Sequence, residues 1–213
     1  MKKEKRFRHK YIARYPRKMK KELKKHNQKL IQKYPFLMPD VANYDYTWNE
    51  LESGMPKGWW KRFGIPLCED LREVLVKNDC IDKYRIMQVK EKYGQLRIYA
   101  LDEPEEWRDH MWAWEYISEH TCVNCGKFPI AMINDAWISP WCDKCFIEKE
   151  MSRNCIKEDA EKRLEEIKDD SKLRKTLTIN TYSKEGDTVH KIDLMPYYEK
   201  IGYKINEKNF EVE

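Results

Sequence analysis

Glycine is scarce in this chain: seven residues lie scattered over 213. They leave no Gly-rich loop to cradle a phosphate and no G-x-S-x-G elbow to present a serine. Histidine is scarcer still, at positions 9, 26, 110, 120 and 190, and no H-E-x-x-H pattern joins any two of them. No apolar run approaches the roughly 18 residues that a membrane-spanning helix requires. The N-terminal residues, charged from Lys2 onward, contain no apolar signal core, so no membrane or secretory route is expected. There is no internal repeat. Carboxylates are plentiful, yet Glu165-Glu166 and Asp169-Asp170 read as the solvated face of a charged helix. With no catalytic pattern in view, the expected class is non-enzymatic.

What is abundant is charge and aromatic bulk. Charged residues make up 37% of the chain and aromatics 13%, enough bulky material to build a core. The net charge of +5 conceals an asymmetry. Residues 1–33 hold fifteen Lys or Arg against Glu4 and Glu22, a balance of 15 − 2 = +13, so the remainder carries 5 − 13 = −8. A basic arm on an acidic body predicts attraction to nucleic acid, with Arg6, Arg8, Arg14, Arg17 and Lys18 as phosphate contacts. A solvated arm serving only solubility is the plainer alternative.

Seven cysteines are present, and four of them fall into two C-x-x-C pairs, Cys122/Cys125 and Cys142/Cys145, separated by sixteen residues. Each pair lets one tight turn aim two thiolates at a single ion, and two such turns complete a tetrahedral site. Gly126 follows the second ligand, where a metal knuckle turns through positive φ. One structural zinc ion per chain is expected, with no open coordination position and hence no Lewis-acid role. His120 is expected beside the site rather than in it. Cysteine at metal spacing also fits a reducing cytoplasm.

Hydrophobic periodicity organises the rest. A basic amphipathic helix is expected from Pro16 to Tyr34, with Met19, Leu23, Leu30 and Ile31 on its docking face. Residues 35–65, rich in Pro, Gly and aromatics, predict mostly irregular chain. Leu67, Leu71, Val74 and Leu75 mark a helix from about Pro66. Residues 84–89 and 96–101 read as an antiparallel hairpin turning near Gly94, and Trp107, Met111 and Trp114 as a packed helix. Residues 128–133 and 136–139 are expected to pair as the ribbon around the metal. A charged helix to about Asp170 and a second hairpin, 176–182 with 189–194, complete the chain.

Several segments together resemble a family of bacterial and phage proteins, mostly uncharacterised. They are Tyr34-Pro-Phe-Leu-Met-Pro39, Met55-Pro-Lys-Gly-Trp59, Val89-Lys-Glu-Lys-Tyr-Gly94 and the two cysteine pairs with Trp137-Ile-Ser-Pro-Trp141. The resemblance covers roughly residues 30–147. It implies a phage or mobile-element origin in a bacterial host cell, and a hairpin, Trp-bearing helix and zinc ribbon forming one unit.

The expected protein is therefore α+β, with small antiparallel hairpins packed on helices and an embedded four-cysteine zinc ribbon. Its segments are a basic arm and helix (1–33), a core with the ribbon (34–150), and a charged helix with a C-terminal hairpin (151–213). Two partners are in view. One is nucleic acid, held by the arm; the other is a host protein, anchored by Trp59, Trp60 or Trp141.

Overall fold

The first described helix, α1 (Arg17–Lys33), opens after Pro16 and ends at Tyr34, just before Pro35. Proline suits a helix start, and the residue before a proline avoids the α region. The computed structural model describes residues 15–130, 132–133, 138–169, 178–182 and 188–204. Helix α1 docks through Leu23, Asn27, Leu30 and Ile31, while Met19, expected on that face, is exposed. Buried Asn27 replaces one expected apolar contact. Its amide donates to the Tyr46 carbonyl at 2.9 Å, and its Oδ1 accepts from Asn49 at 2.9 Å. The C-terminal end of α1 is tied down by Glu69, which accepts from Lys33 and from the Tyr34 hydroxyl.

The segment expected to be irregular contains more helix than its Pro and Gly content suggests. A 3-10 turn (Pro35–Leu37) buries Phe36 and Leu37, and α2 (Glu50–Gly54) is capped by Asn49, whose side chain accepts from Glu52 N. A continuous helical run then follows: α3 (Lys57–Trp59), a π-helical stretch (Trp60–Gly64) and α4 (Ile65–Lys77). Gly64 permits the π stretch to close, because a Cβ there would lie 2.3 Å from the Trp60 ring. The helix thus begins about nine residues before the apolar stripe that announced it.

Strands β1 (Arg85–Lys92) and β2 (Gln95–Leu101) form the expected antiparallel hairpin, with Lys92 opposite Gln95. The two-residue turn, Tyr93-Gly94, has positive φ at both positions, 54° and 82°, as a type I′ turn demands. Helix α5 (Trp107–Glu119) packs beside β2 and buries Trp107, Met111, Trp114 and Ile117.

Beyond the cysteines the pairing differs from expectation. Strand β3 (Met132–Ile133) pairs antiparallel with β4 (Lys168–Asp169); of the expected partner 136–139, residues 138–139 are not in a strand and 136–137 lie outside the described residues. The charged stretch is two helices, α6 (Asp143–Met151) and α7 (Lys157–Ile167), with a break between them. Buried Glu150 ties them together by accepting from Arg163 at 2.7 Å. The C-terminal hairpin is present as β5 (Thr178–Tyr182) and β6 (Thr188–Asp193), followed by α8 (Met195–Lys200), which periodicity did not announce.

Helices and antiparallel hairpins make this an α+β fold. Its main core runs from Ile31 and Phe36 through Trp59, Phe63, Leu71, Leu96 and Trp114 to Leu194, Tyr197 and Ile201. Residues 192–201, expected in a separate C-terminal module, therefore belong to that core. No helix among the described residues is long and apolar enough to cross a membrane.

Candidate metal centre and its platform

Helix α5 ends at Glu119, and the chain turns at once into the first cysteine pair. Thr121 Oγ1 donates to the Ile117 carbonyl at 2.7 Å, which fixes the exit. The Cys122–Cys125 turn is then closed from both ends. Gly126 N donates to Cys122 O at 3.0 Å, and Cys122 N to Lys127 O at 2.9 Å. Gly126 has φ +78°, a conformation that costs little without a Cβ. The second pair sits on the first turn of α6: Cys142 is its N-cap, and Phe146 N donates to Cys142 O at 2.9 Å.

The four sulfurs lie within 4.8 Å of one another, and Cys125 Sγ is 3.6 Å from Cys142 Sγ. Metal–sulfur bonds of about 2.3 Å in a tetrahedron place sulfurs about 3.8 Å apart, so the set fits a four-coordinate ion. Cys122, Cys142 and Cys145 are buried, and Asn124 Nδ2 donates to Cys145 Sγ at 3.3 Å. Burial pushes the Cys142 and Cys145 thiols up. Burial works against Cys125 too, but donation from the Lys127 backbone and the neighbouring thiols outweighs it and lowers that thiol. A metal must displace these protons, so capture of the ion weakens as pH falls. His120 lies outside the ligand set; its Nδ1 is 2.9 Å from the Tyr116 carbonyl, and its ring packs on Tyr116 at 4.5 Å.

The knuckle rests on a platform that cysteine spacing does not reveal. Gly58 N donates to Val123 O at 2.9 Å, and a Cβ on Gly58 would fall 2.2 Å from Cys122 O. Trp59 Nε1 donates to Thr121 O at 2.8 Å, and Arg62 Nε to Gly126 O at 2.7 Å. Three residues of one helical run thus satisfy carbonyls on both sides of the turn. The Met55-Pro-Lys-Gly-Trp59 motif was a signal for this platform, because a Gly-Trp pair at a helix start combines close approach with a buried donor.

The expected partner-binding and nucleic-acid residues fare differently. Trp59 is fully buried and has no surface for a partner, which corrects the expectation that it is an anchor. Trp60 and Trp141 are half-buried; Trp141 lies between the metal site and the core and carries Lys149 Nζ 5.1 Å above its ring. Arg17 and Lys18 are exposed on α1, whereas Arg6, Arg8 and Arg14 lie outside the described residues. Along α1, Arg17, Lys20, Lys21, Lys24, Lys25 and Gln28 line an open groove of about 550 Å³ whose far wall is Asp45. Lys24 pairs with Asp45 at 3.3 Å.

A second polar cluster was not expected. Asp70 of α4 is 1% exposed, and its Oδ2 accepts from Trp114 Nε1 at 2.8 Å and meets His110 Nδ1 at 2.9 Å. Its other oxygen pairs with Lys200 of α8. Burial raises the cost of ionising Asp70, but the bonds from His110, Lys200 and Trp114 prevail and hold its pKa below the ordinary carboxylate value. The sequence signal was a carboxylate on the apolar face that Leu67, Leu71 and Val74 define. No protein-family model, curated protein or solved structure matches the chain.

Proposed function

We propose that this chain is a non-enzymatic nucleic-acid-binding protein of phage or mobile-element type, braced by one structural zinc ion. The observation that carries this reading is the cationic groove along α1. Five basic side chains face one carboxylate there, so the groove has a surplus of positive charge over the length of a helix. Such a surface suits a phosphate backbone and contributes affinity without sequence preference. The basic residues that precede α1 extend the same charge along the chain.

Zinc is the ion that four thiolates in a closed tetrahedral set favour. Its contribution here is to hold the knuckle, α6 and the platform helix in register. Cys122, Cys125, Cys142 and Cys145 fill the coordination sphere, so no position remains for substrate. The alternative reading, capture of a host protein, loses Trp59 as an anchor because that side chain lies in the core.

Filter binding at a series of salt concentrations tests the proposal. Retention of duplex DNA should fall steeply as salt rises, and removal of residues 1–33 should abolish it. Absence of retention at low salt would overturn it. Metal analysis should return about one zinc per folded chain.

A further inference from the structure

The outward face of the β1–β2 hairpin is built from residues that a merely structural hairpin has little use for. Ile86, Val89 and Leu96 point into the core. The opposite face pairs Arg85 with Leu101, Gln88 with Tyr99, Lys90 with Arg97 and Lys92 with Gln95. Tyr99 and Leu101 are 46% and 53% exposed, and Tyr93 at the tip is 69% exposed. Lys90 Nζ lies 4.8 Å from the Tyr99 ring centre, and Lys92 Nζ 5.3 Å from that of Tyr93. Each tyrosine therefore has a cation at its side. The one acid of the strands, Glu91, is turned inward to accept from Gly94 N at 2.6 Å.

Two features of this face cost stability. Lys90 and Arg97 stand directly opposite each other, and like charges in that position repel. Arg97 finds relief by pairing with Glu115 of α5. The second cost is Tyr93, which holds φ 54° at the first position of a type I′ turn, where asparagine or glycine fits better than a bulky ring. A strained, exposed aromatic at a turn tip points to a surface kept for contact.

We infer that this face binds single-stranded nucleic acid, with Tyr93 and Tyr99 stacking on unpaired bases and Lys90, Lys92 and Arg85 meeting phosphates. Charge complementarity selects a polyanion, and tyrosines beside lysines select one whose bases are free to stack. A duplex hides its base faces and offers these rings nothing. The inference rests on the nucleic-acid reading above and adds to it a preference for single strands that the groove along α1 does not supply.

Fluorescence anisotropy of the full chain with a labelled oligothymidine of about 15 nucleotides, and with a duplex of equal length, provides the test. Tyr99→Ala and Tyr93→Asn should each weaken single-strand binding roughly 5- to 100-fold and leave duplex binding unchanged. Lys92→Gln should lower the steepness of the single-strand salt dependence by roughly 0.7. Tyr93→Asn should also raise the melting temperature, so weaker binding by a more stable protein cannot be a folding defect. Unchanged single-strand affinity in the Tyr93→Asn/Tyr99→Ala double variant overturns the inference. Charge reversal on α1 (Lys21→Glu with Lys25→Glu) separates it from the groove reading. Loss there with no loss in the tyrosine variants leaves the groove standing alone, the converse leaves only the hairpin, and an unaltered chain that binds neither probe removes both.

Discussion

At Gly58 a single hydrogen atom decides whether the metal knuckle can seat. A methyl group in its place would stand 2.2 Å from the Cys122 carbonyl and 2.8 Å from Gly126 N, both backbone atoms that cannot swing aside. Gly58→Ala should therefore destabilise the protein by about 3 kcal/mol or more and speed metal loss. Urea unfolding and chelator-competition rates would measure the two effects. Asp70 works by charge rather than by space. Because folding lowers its pKa, its stabilisation is complete above the unfolded value near 3.8 and is lost as pH falls through the folded value. Asp70→Asn should cost about 3 kcal/mol near neutrality, since asparagine keeps one acceptor oxygen where Trp114 Nε1 and Lys200 use two, and it leaves the Lys200 charge unbalanced. Below about pH 4 the gap between wild type and variant should narrow. A gap that stayed constant in denaturation curves down to about pH 2 would contradict this account.

Among the elements, the hairpin and the metal unit make separate forecasts. Tyr93 occupies a left-handed position that asparagine tolerates, so Tyr93→Asn should stabilise the hairpin by roughly 0.5–1 kcal/mol, visible as a higher melting temperature. The metal unit has no comparable reserve. Its own cluster of buried residues is Cys122, Ile130, Cys142 and Cys145, too few to hold two turns together without an ion. Chelation, or Cys142→Ser, should release α6 and the knuckle while the hairpin and α5 remain folded. Hydrogen exchange would then show protection lost from about residue 120 to 151 and kept in 85–101. These elements differ in how far the sequence revealed them. Helix α1, the hairpin and α5 were readable because their apolar residues recur at 3.6 or 2 and their turns carry Gly or Pro. The platform at Gly58, Trp59 and Arg62 left only a local mark, the Met55-Pro-Lys-Gly-Trp59 motif; what it touches was hidden, because its bonds to the knuckle span 62 and 64 residues and leave no periodic trace.

Across the molecule, an aromatic chain links these parts. Trp59 packs on Phe63 at 6.2 Å, Phe63 on Trp114 at 5.7 Å, and Trp114 on Tyr197 at 5.4 Å. The knuckle platform is thereby continuous with α8, whose Lys200 reaches Asp70 across 130 residues of chain. The acidic body is thus one packed support for two basic surfaces, the α1 groove and the hairpin face. If the five groove cations neutralise phosphates, affinity for a duplex should fall with salt at a log–log slope of roughly −4 to −5. Anisotropy titrations at several salt concentrations would give that slope, and a slope near zero would rule out phosphate contacts.

The sequence by itself determined several local matters: helix α1, the β1–β2 hairpin with its turn, helix α5, and the four cysteines at metal-binding spacing. It also determined the charge asymmetry, because composition does not depend on fold. Tertiary structure alone decided what those pieces touch. It seated the knuckle on Gly58 and buried Trp59. It drew α8 into the core, and it paired β3 with the distant β4. The physical reason is range: hydrophobic periodicity and turn geometry act over a few residues. The contacts that complete the metal centre and gather partners around Asp70 join residues far apart in sequence, and only the packed chain brings them together.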